Sequence, residues 1–396
     1  MKIVICSNIY IDYCVFTLDQ IQLFEENVEP FFVVNEIAYS KWSKSGFLLK
    51  LLLRVCMYLV YPFRLFLSVL FASRKSVYIV TSNGFFAPYL VAKLGQLKGI
   101  RVIHFLLDLF PDALEVAGFS TRLSTKSKLI ELLMRHTQKS CSSTVYLGDY
   151  LREHAECRIG KPPKSFVIDI ASDCRKFSPP EDLSPSDNVV FHYGGQLGYM
   201  HDAQQLAACI RYLFENYAEA NQLKFQFYIR GAQSGLFKDL VANLPVEVHA
   251  AIPSSEWRKV ARGSDVGLVS LIPGASSVCL PSKTYAMMAS GMAIIGICPI
   301  WSDLANLILK NKCGWVINNS PFESLKIDGS EEYYKKLFSK QNETRVVQDF
   351  CVSVAKIHQN LANIREAREN SLEAIREKYS LKNLSKKWEM CLQSSA

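Results

Sequence analysis

Short apolar runs, each closed by a glycine-containing or polar turn and followed by a longer amphipathic stretch, recur along this chain. The pattern predicts β-strands alternating with α-helices. Residues 2–7 and 30–34 are expected as two strands with a helix between them, the opening of a doubly wound sheet. The rhythm resumes with a strand at 77–81, a turn at Ser82, Asn83 and Gly84, a helix at 87–98 and a strand at 101–105, and two short strands follow at 144–147 and 165–170. Residues 173–187, rich in proline and acids, read as a linker. A second series begins at Asn188 with a hydrophobic strand, a glycine-rich turn and a helix at 203–217 capped by Asp202. Strands at 225–230, 246–250 and 265–271 continue it. Beyond Val316 the pattern loosens into helices at 331–339, 345–378 and 381–392. The expected organisation is an N-terminal domain at 1–172, the linker, a second domain at 188–365 and C-terminal helices at 366–396 that pack back toward the first domain.

The most informative stretch runs from Val266 to Ile297. A strand enters a loop of small residues, the loop enters a short helix opened by Pro281 and closed by Gly291, and another strand follows at once. The helix start near Ser282, with Ser276, Ser277 and Lys283 around it, has the donors and positive charge that an anion such as a phosphate needs. One more strand and helix with a solvated loop is the alternative. Gly194, Gly195 and Gly198 in the turn of the second domain allow main chain to approach a ligand closely. With Arg230 they are expected to converge on the Pro281 helix at the carboxyl ends of the strands. In the first domain Asp108, just past a buried strand, is a candidate to hold a hydroxyl or act as a base, and Asp112 is a second candidate; either can instead be a helix cap.

Residues 47–72 break the pattern, being apolar almost throughout, with Lys50 and Arg54 one helical turn apart and Pro62 expected to force a break. The longest uncharged run, 55–63, is far shorter than the ~20 residues of a spanning helix. A helix lying in a lipid headgroup layer fits this composition, with Lys50, Leu52, Leu53, Arg54, Arg64 and Phe66 facing the membrane. A pair of core helices and a re-entrant segment are the other readings. Charge sharpens the picture. The net charge is +8, yet residues 37–107 hold ten basic residues, Lys44 among them, and no acid, so the remainder is net acidic by two. The aromatics there sit among leucines without a stacking-module motif, which argues against nucleic acid. The 12 cysteines form no Cys-x-x-Cys pair, so neither a zinc site nor a disulfide scaffold is expected. The N-terminal residues read as a first buried strand and not as a secretory signal.

Taken together, YGGQLGYMHD (193–202), LPSKTYAMMASGMAIIG (280–296) and SDLANLILKNKCGWVI (302–317) resemble the donor-binding domain of bacterial family 4-like glycosyltransferases of the two-Rossmann, GT-B architecture. FLLDLFPDALEVAGF (105–119) resembles the acidic segment of their acceptor domains. The resemblance implies an α/β fold of two Rossmann-like domains facing across a cleft with a C-terminal helical segment. It implies a metal-independent and retaining enzyme with no cofactor, moving a sugar from a nucleotide sugar to a lipid-linked or polysaccharide acceptor in O-antigen, capsule or exopolysaccharide synthesis. Its place would be the cytoplasm, peripheral on an anionic inner membrane face. In this family pattern Gly194, Gly195 and Gly198 approach the diphosphate, and His201 flanks it. Ser282, Lys283 and Tyr285 belong to the donor site, Arg230 adds charge, and Asp108 faces the reacting groups. Val278 and Ala286 stand where many relatives carry paired glutamates, and the first turn, Ser7 to Tyr10, lacks the usual glycines. Those departures keep two alternatives in view, a non-catalytic membrane-associated partner of the same fold and a nucleotide-sugar 2-epimerase.

Overall fold

Strands buried on both faces and joined through helices build parallel sheets, and the described residues form two six-stranded ones. The structure is a computed structural model and describes all residues except Ile11, Lys44, Asn83, Phe85, Ser186, Asp187, Ser395 and Ala396, along with the side chains of Asp12, Tyr13, Ser40 and Ser43. Lys44 of the basic run, Asn83 of the expected turn and the last two linker residues therefore lie outside the described residues. The chain forms two units, Met1–Ile170 with Ser277–Cys279 and Leu381–Ala396, and Ala171–Ser276 with Leu280–Ser380.

In the first unit the strands are β1 (Ile3–Cys6), β2 (Ile9–Tyr10), β3 (Val28–Phe31), β4 (Val34–Asn35), β5 (Val77–Thr81), β6 (Arg101–Phe105), β7 (Ser143–Tyr146) and β8 (Ser165–Val167). They form a six-stranded sheet in the order β3-β1-β5-β6-β7-β8 and a small β2-β4 pair. The strand expected at 30–34 is thus split, because pairing with β1 begins at Val28 and the chain leaves the sheet after Phe31. Val4, Cys6, Tyr78, Val80 and Val102 share one face, where Tyr61, Leu65, Val69, Ala87 and Val91 pack on them. On the other face the helix Asp12–Gln22 lies against the helix Leu381–Ser394, whose Trp388 meets Phe105 edge-on at 5.3 Å. Lys387 pairs with Asp169 at 2.8 Å and Arg101 donates to the Leu392 carbonyl, tying this last helix to the first unit.

Pro62 does not break the apolar stretch. Helices Phe47–Val55 and Tyr61–Leu70 join through a π turn at Cys56–Val60 into one run of 24 residues, long and apolar enough to cross a bilayer by length and composition. The Tyr61 N–H reaches back five residues to the Cys56 carbonyl, and this wider turn accommodates a residue that has no N–H of its own. One side of the helix is sealed by protein, since Leu53, Tyr61, Leu65 and Val69 are buried. Leu53 accordingly leaves the expected membrane-facing set, and Phe66 is only half-exposed, whereas Lys50, Leu52, Arg54 and Arg64 are exposed as expected. Lys98 donates to the carbonyls of Val69, Leu70 and Ala72 and closes the far end of the helix.

The second unit holds β9 (Val190–Gln196), β10 (Lys224–Arg230), β11 (Val246–Ala250), β12 (Val266–Ser270), β13 (Ala293–Ile297) and β14 (Gly314–Ile317), in the order β11-β10-β9-β12-β13-β14. Strand order reverses between β9 and β12, and a sheet of this kind opens a crevice at the carboxyl ends of those two strands. Phe191, Phe225 and Phe227 on the strands meet Leu206, Ile210 and Leu213 of the helix Ala203–Asn216, with Val346, Phe350 and Val354 of Glu343–Gln359 joining the same core. The long charged region expected to be helical is divided at Asn360, and its second half, Leu361–Glu377, stays in this unit, so the expected boundary at 365 falls inside a helix. There Arg368 is buried with Asp265, 2.5 Å apart, and also donates to the Gly291 carbonyl, while Asp265 accepts from the Val190 N–H. This pair fixes the beginning of β9, the approach to β12 and the end of the Lys283–Ala289 helix with respect to one another.

Candidate functional site

β9 runs straight into the glycine turn, and the carboxyl ends of β10 and β12 hold that turn from either side. The Leu197 N–H bonds the Arg230 carbonyl at 2.7 Å, and the Ile272 N–H bonds the Met200 carbonyl at 3.0 Å. The Gln233 amide spans the inside of the loop, donating to the carbonyls of Gly198 and His201. At its exit Asp202 caps the helix Ala203–Asn216 by accepting from the Gln205 N–H, and it pairs with Lys340 at 2.6 Å.

Lys283 comes to this turn from the other side of the crevice. Its ammonium donates to the Tyr193 hydroxyl at 2.6 Å and to the Gln196 carbonyl at 2.8 Å, and it lies 4.0 Å from the centre of the Tyr193 ring. The turn and the Lys283 segment are therefore in direct contact in the second unit. Arg230 is exposed at the end of β10 beside them. Sequence reasoning missed Tyr193, Gln196 and Gln233 as the parts that set this geometry, and the only signal for the first two was their adjacency to the glycines.

The three glycines differ in kind. At Gly195, φ is +95° and a Cβ would meet nothing within 4 Å, so the residue combines a left-handed backbone with open space. At Gly198 a Cβ would meet only the Gln196 side chain, at ordinary contact distance. At Gly194 a Cβ would stand 2.3 Å from the Trp257 indole nitrogen, so packing explains this glycine and no approaching ligand is needed. Trp257 donates to His192 at 2.9 Å, and the rings of His192, Tyr228 and His249 stack across β9, β10 and β11.

Several expected donor contacts are placed differently. Tyr285 has no exposed surface and meets Tyr379 edge-on at 5.0 Å, so its ring belongs to the packing of the helix and is removed from the donor set. Ser276 and Ser277 are buried, while Ser282 is exposed and makes no capping bond with its side chain. The helix spans only Lys283–Ala289, so Pro281 lies one residue before the cap, and Gly291, at φ +83°, follows its end as expected. His201 is buried with Nδ1 2.6 Å from the Ser270 carbonyl, which requires Nδ1 to carry the proton. Burial, reinforced by the Lys283 charge, pushes its pKa down to about 3. It is a neutral ring at physiological pH and brings no positive charge to a phosphate.

In the first unit Asp108 and Asp112 part ways. Ser82 at the end of β5 accepts from the N–H groups of Leu107 and Asp108, holding the acidic segment at the carboxyl ends of β5 and β6. Asp108 is half-buried as a residue, and burial lifts the pKa of its carboxyl to about 6. Asp112 is 2% exposed and bonded to His154 at 2.9 Å and Arg158 at 2.5 Å. Burial would raise its carboxyl, but the bonds and charges of His154 and Arg158 override this and hold it below the ordinary value. Arg158 also grips Glu115 and Glu131, so Asp112 belongs to a buried ionic cluster and is withdrawn as a candidate catalyst. Val278 is buried and Ala286 half-buried. No three His, Cys, Asp or Glu side chains among the described residues are grouped as for a metal ion.

No family model matches this chain. Over 236 residues it is 22% identical to a protein of Pseudomonas aeruginosa described as probable glycosyltransferase WbjE, and the match covers 58% of this chain and 58% of that relative's length. Among solved structures it is similar to HepE of Anabaena in complex with UDP, with 11% identity, 100% of both chains covered and a TM-score of 0.65. It is similar to the sucrose-phosphate synthase of Thermosynechococcus elongatus, with 10% identity, 100% of this chain and 99% of that one covered and a TM-score of 0.65. A variant of S. aureus TarM with UDP bound matches 80% of this chain and 55% of its own at 13% identity, with a TM-score of 0.56. These likenesses show the GT-B fold, two Rossmann-like units each with a parallel sheet.

Proposed function

We infer that this chain is a glycosyltransferase that takes a sugar from a nucleoside diphosphate carrier bound in the second unit and passes it to a lipid-linked or polysaccharide acceptor. The observation that carries the reading is the ammonium of Lys283 fixed against a glycine turn with open space at Gly195, where strand order reverses between β9 and β12. Breaking a sugar–phosphate bond leaves a nucleoside diphosphate, and its developing charge needs fixed cations and N–H groups already aimed at it. Lys283 and Arg230 supply the cations and the turn from Gly195 to Gly198 supplies main chain. Asp108, with its pKa lifted to about 6, suits the acceptor side, where it holds an acceptor hydroxyl or takes its proton. The likeness to WbjE supports the reading, as does the architecture shared with UDP-bound proteins. Retention of anomeric configuration and surface polysaccharide as the product belong to the same proposal.

A peripheral position at the membrane is part of it. The helix Phe47–Leu70 has one face sealed by the first unit and an opposite face that exposes Phe47, Leu48, Leu52, Leu59 and Phe63 beside Lys50, Arg54 and Arg64. A helix closed on one side does not need lipid all round, and its apolar outer face suits the headgroup layer.

The test is incubation of the protein with UDP, GDP and dTDP sugars and a bacterial lipid extract. Release of a nucleoside diphosphate together with a glycosylated lipid or saccharide supports the transferase. An epimerised donor without transfer, or nucleotide sugars that neither bind nor react, overturns it in favour of an isomerase or a non-catalytic partner.

A further inference from the structure

Besides the helix already placed against lipid, the first unit has a second outward helix for which the reading above has no use. We propose that the helix Thr125–Ser140 is a second lipid-contact element, so that the first unit beds on anionic phospholipid headgroups through a layer of adjoining helices and not through Phe47–Leu70 alone. The proposal rests on the membrane reading above and extends it.

The layer is continuous. The Tyr61–Leu70 helix packs against Ala87–Lys98, which packs against Thr125–Ser140, and the rings of Tyr89 and His136 meet between the last two at 6.2 Å. Thr125–Ser140 turns Ser127, Met134, Thr137 and Gln138 inward. Its outer side exposes Leu129 (54%) and Leu132 (50%) together with Lys126, Lys128, Arg135 and Lys139. Ahead of it Phe119 and Leu123 are exposed, and on the helix between, Leu97 and Lys93 are exposed. Across Phe47–Leu70, Ala87–Lys98 and Thr125–Ser140 the single acidic residue is Glu131. It is neutralised within the fold, with one oxygen 2.7 Å from Arg135 and the other 3.3 Å from Arg158.

Charge decides the occupant. Large aliphatic and aromatic side chains alternating with cations, and with no unpaired acid, complement a surface that is negative everywhere and offers apolar depth without a fixed shape. A bilayer containing anionic lipid has both properties. A second copy of this surface would set cation against cation.

The experiment measures binding of the full chain to vesicles of equimolar phosphatidylglycerol and phosphatidylcholine, and to phosphatidylcholine alone, by co-sedimentation. Three proteins are compared: wild type, a variant with Leu48→Ser, Leu52→Ser and Leu59→Ser, and a variant with Lys128→Glu, Leu129→Ser and Leu132→Ser. Wild type should bind the anionic vesicles and largely lose them in high salt, and the second variant should bind roughly tenfold or more weakly than wild type. Hydrogen exchange on the wild type, which needs no substitution, should slow over residues 125–140 when anionic vesicles are added. If only the first variant loses binding, and exchange over 125–140 is unchanged, the second contact is overturned while the membrane reading stands. If wild type ignores both vesicles, both fall. If the second variant instead dissociates a dimer in sedimentation velocity and binds vesicles normally, the surface joins two copies and the proposal is overturned.

Discussion

Asp108→Asn is the substitution that best separates a strained functional carboxyl from an ordinary loop acid. Burial raises the folded-state pKa of Asp108 from 3.8 to about 6. The folded protein therefore holds this proton more tightly than the unfolded chain does. The stability associated with it is fully present below pH 3.8 and is lost as the pH rises through about 6. A shift of about 2 units corresponds to ~3 kcal/mol, and the partial exposure of the residue reduces the expected effect to roughly 1–2 kcal/mol. Asparagine keeps the shape and has no proton to release. The variant should accordingly gain on wild type as the pH rises from 4 to about 7 and hold a constant advantage above that. For a unit of nearly two hundred residues this is an increase in Tm of roughly 2–8 °C at neutral pH, vanishing toward pH 4. Differential scanning calorimetry of both proteins across that range reads the effect, and sugar transfer measured in parallel should be lost. A Tm difference that is the same at both ends of the range, or an asparagine variant less stable than wild type at neutral pH, would refute the burial argument. Full transfer activity in the variant would remove Asp108 from the reaction.

Two further substitutions test the second unit. Lys283→Met removes two charged hydrogen bonds and the cation beside the glycine turn, and should weaken UDP, GDP or dTDP binding roughly 10- to 100-fold by isothermal titration calorimetry; unchanged affinity excludes Lys283 from the site. Gly194→Ala drives a methyl group onto the Trp257 ring and should cost roughly 1–3 kcal/mol in denaturant unfolding. That cost should shrink in a Trp257→Leu background, and an equal cost in both backgrounds would show that the ring is not what the methyl group meets.

Runs such as VYIVT, RVIHF and VEVHA have one interpretation in a chain of alternating elements, and β5, β6 and β11 lie where their composition puts them. The helix Ala87–Lys98 was equally legible, with Gly99 at φ +68° marking its end. Harder to read were features that depend on a partner distant in sequence. Leu52 and Leu53 are alike in composition, yet only Leu53 is buried. Asp108 and Asp112 stand four residues apart, and what divides them is Arg158 on another helix. The glycine turn and Lys283 were found from their residue types, but the reason for Gly194 lies in Trp257, more than sixty positions away, where nothing in the local sequence signals it.

The π turn before Pro62 has a geometric consequence for the whole apolar helix. Residues 53, 57, 61, 65 and 69 follow one another in steps of four, and in a regular α-helix each such step rotates the side chain by roughly 40° away from its predecessor. By taking in one extra residue, the turn at Cys56–Val60 sets that drift back midway. Leu53 and Val69 can then belong to a single seam against the protein. The proline that looked like an interruption thus sits beside the phase correction that lets one long rod keep the same edge docked from end to end.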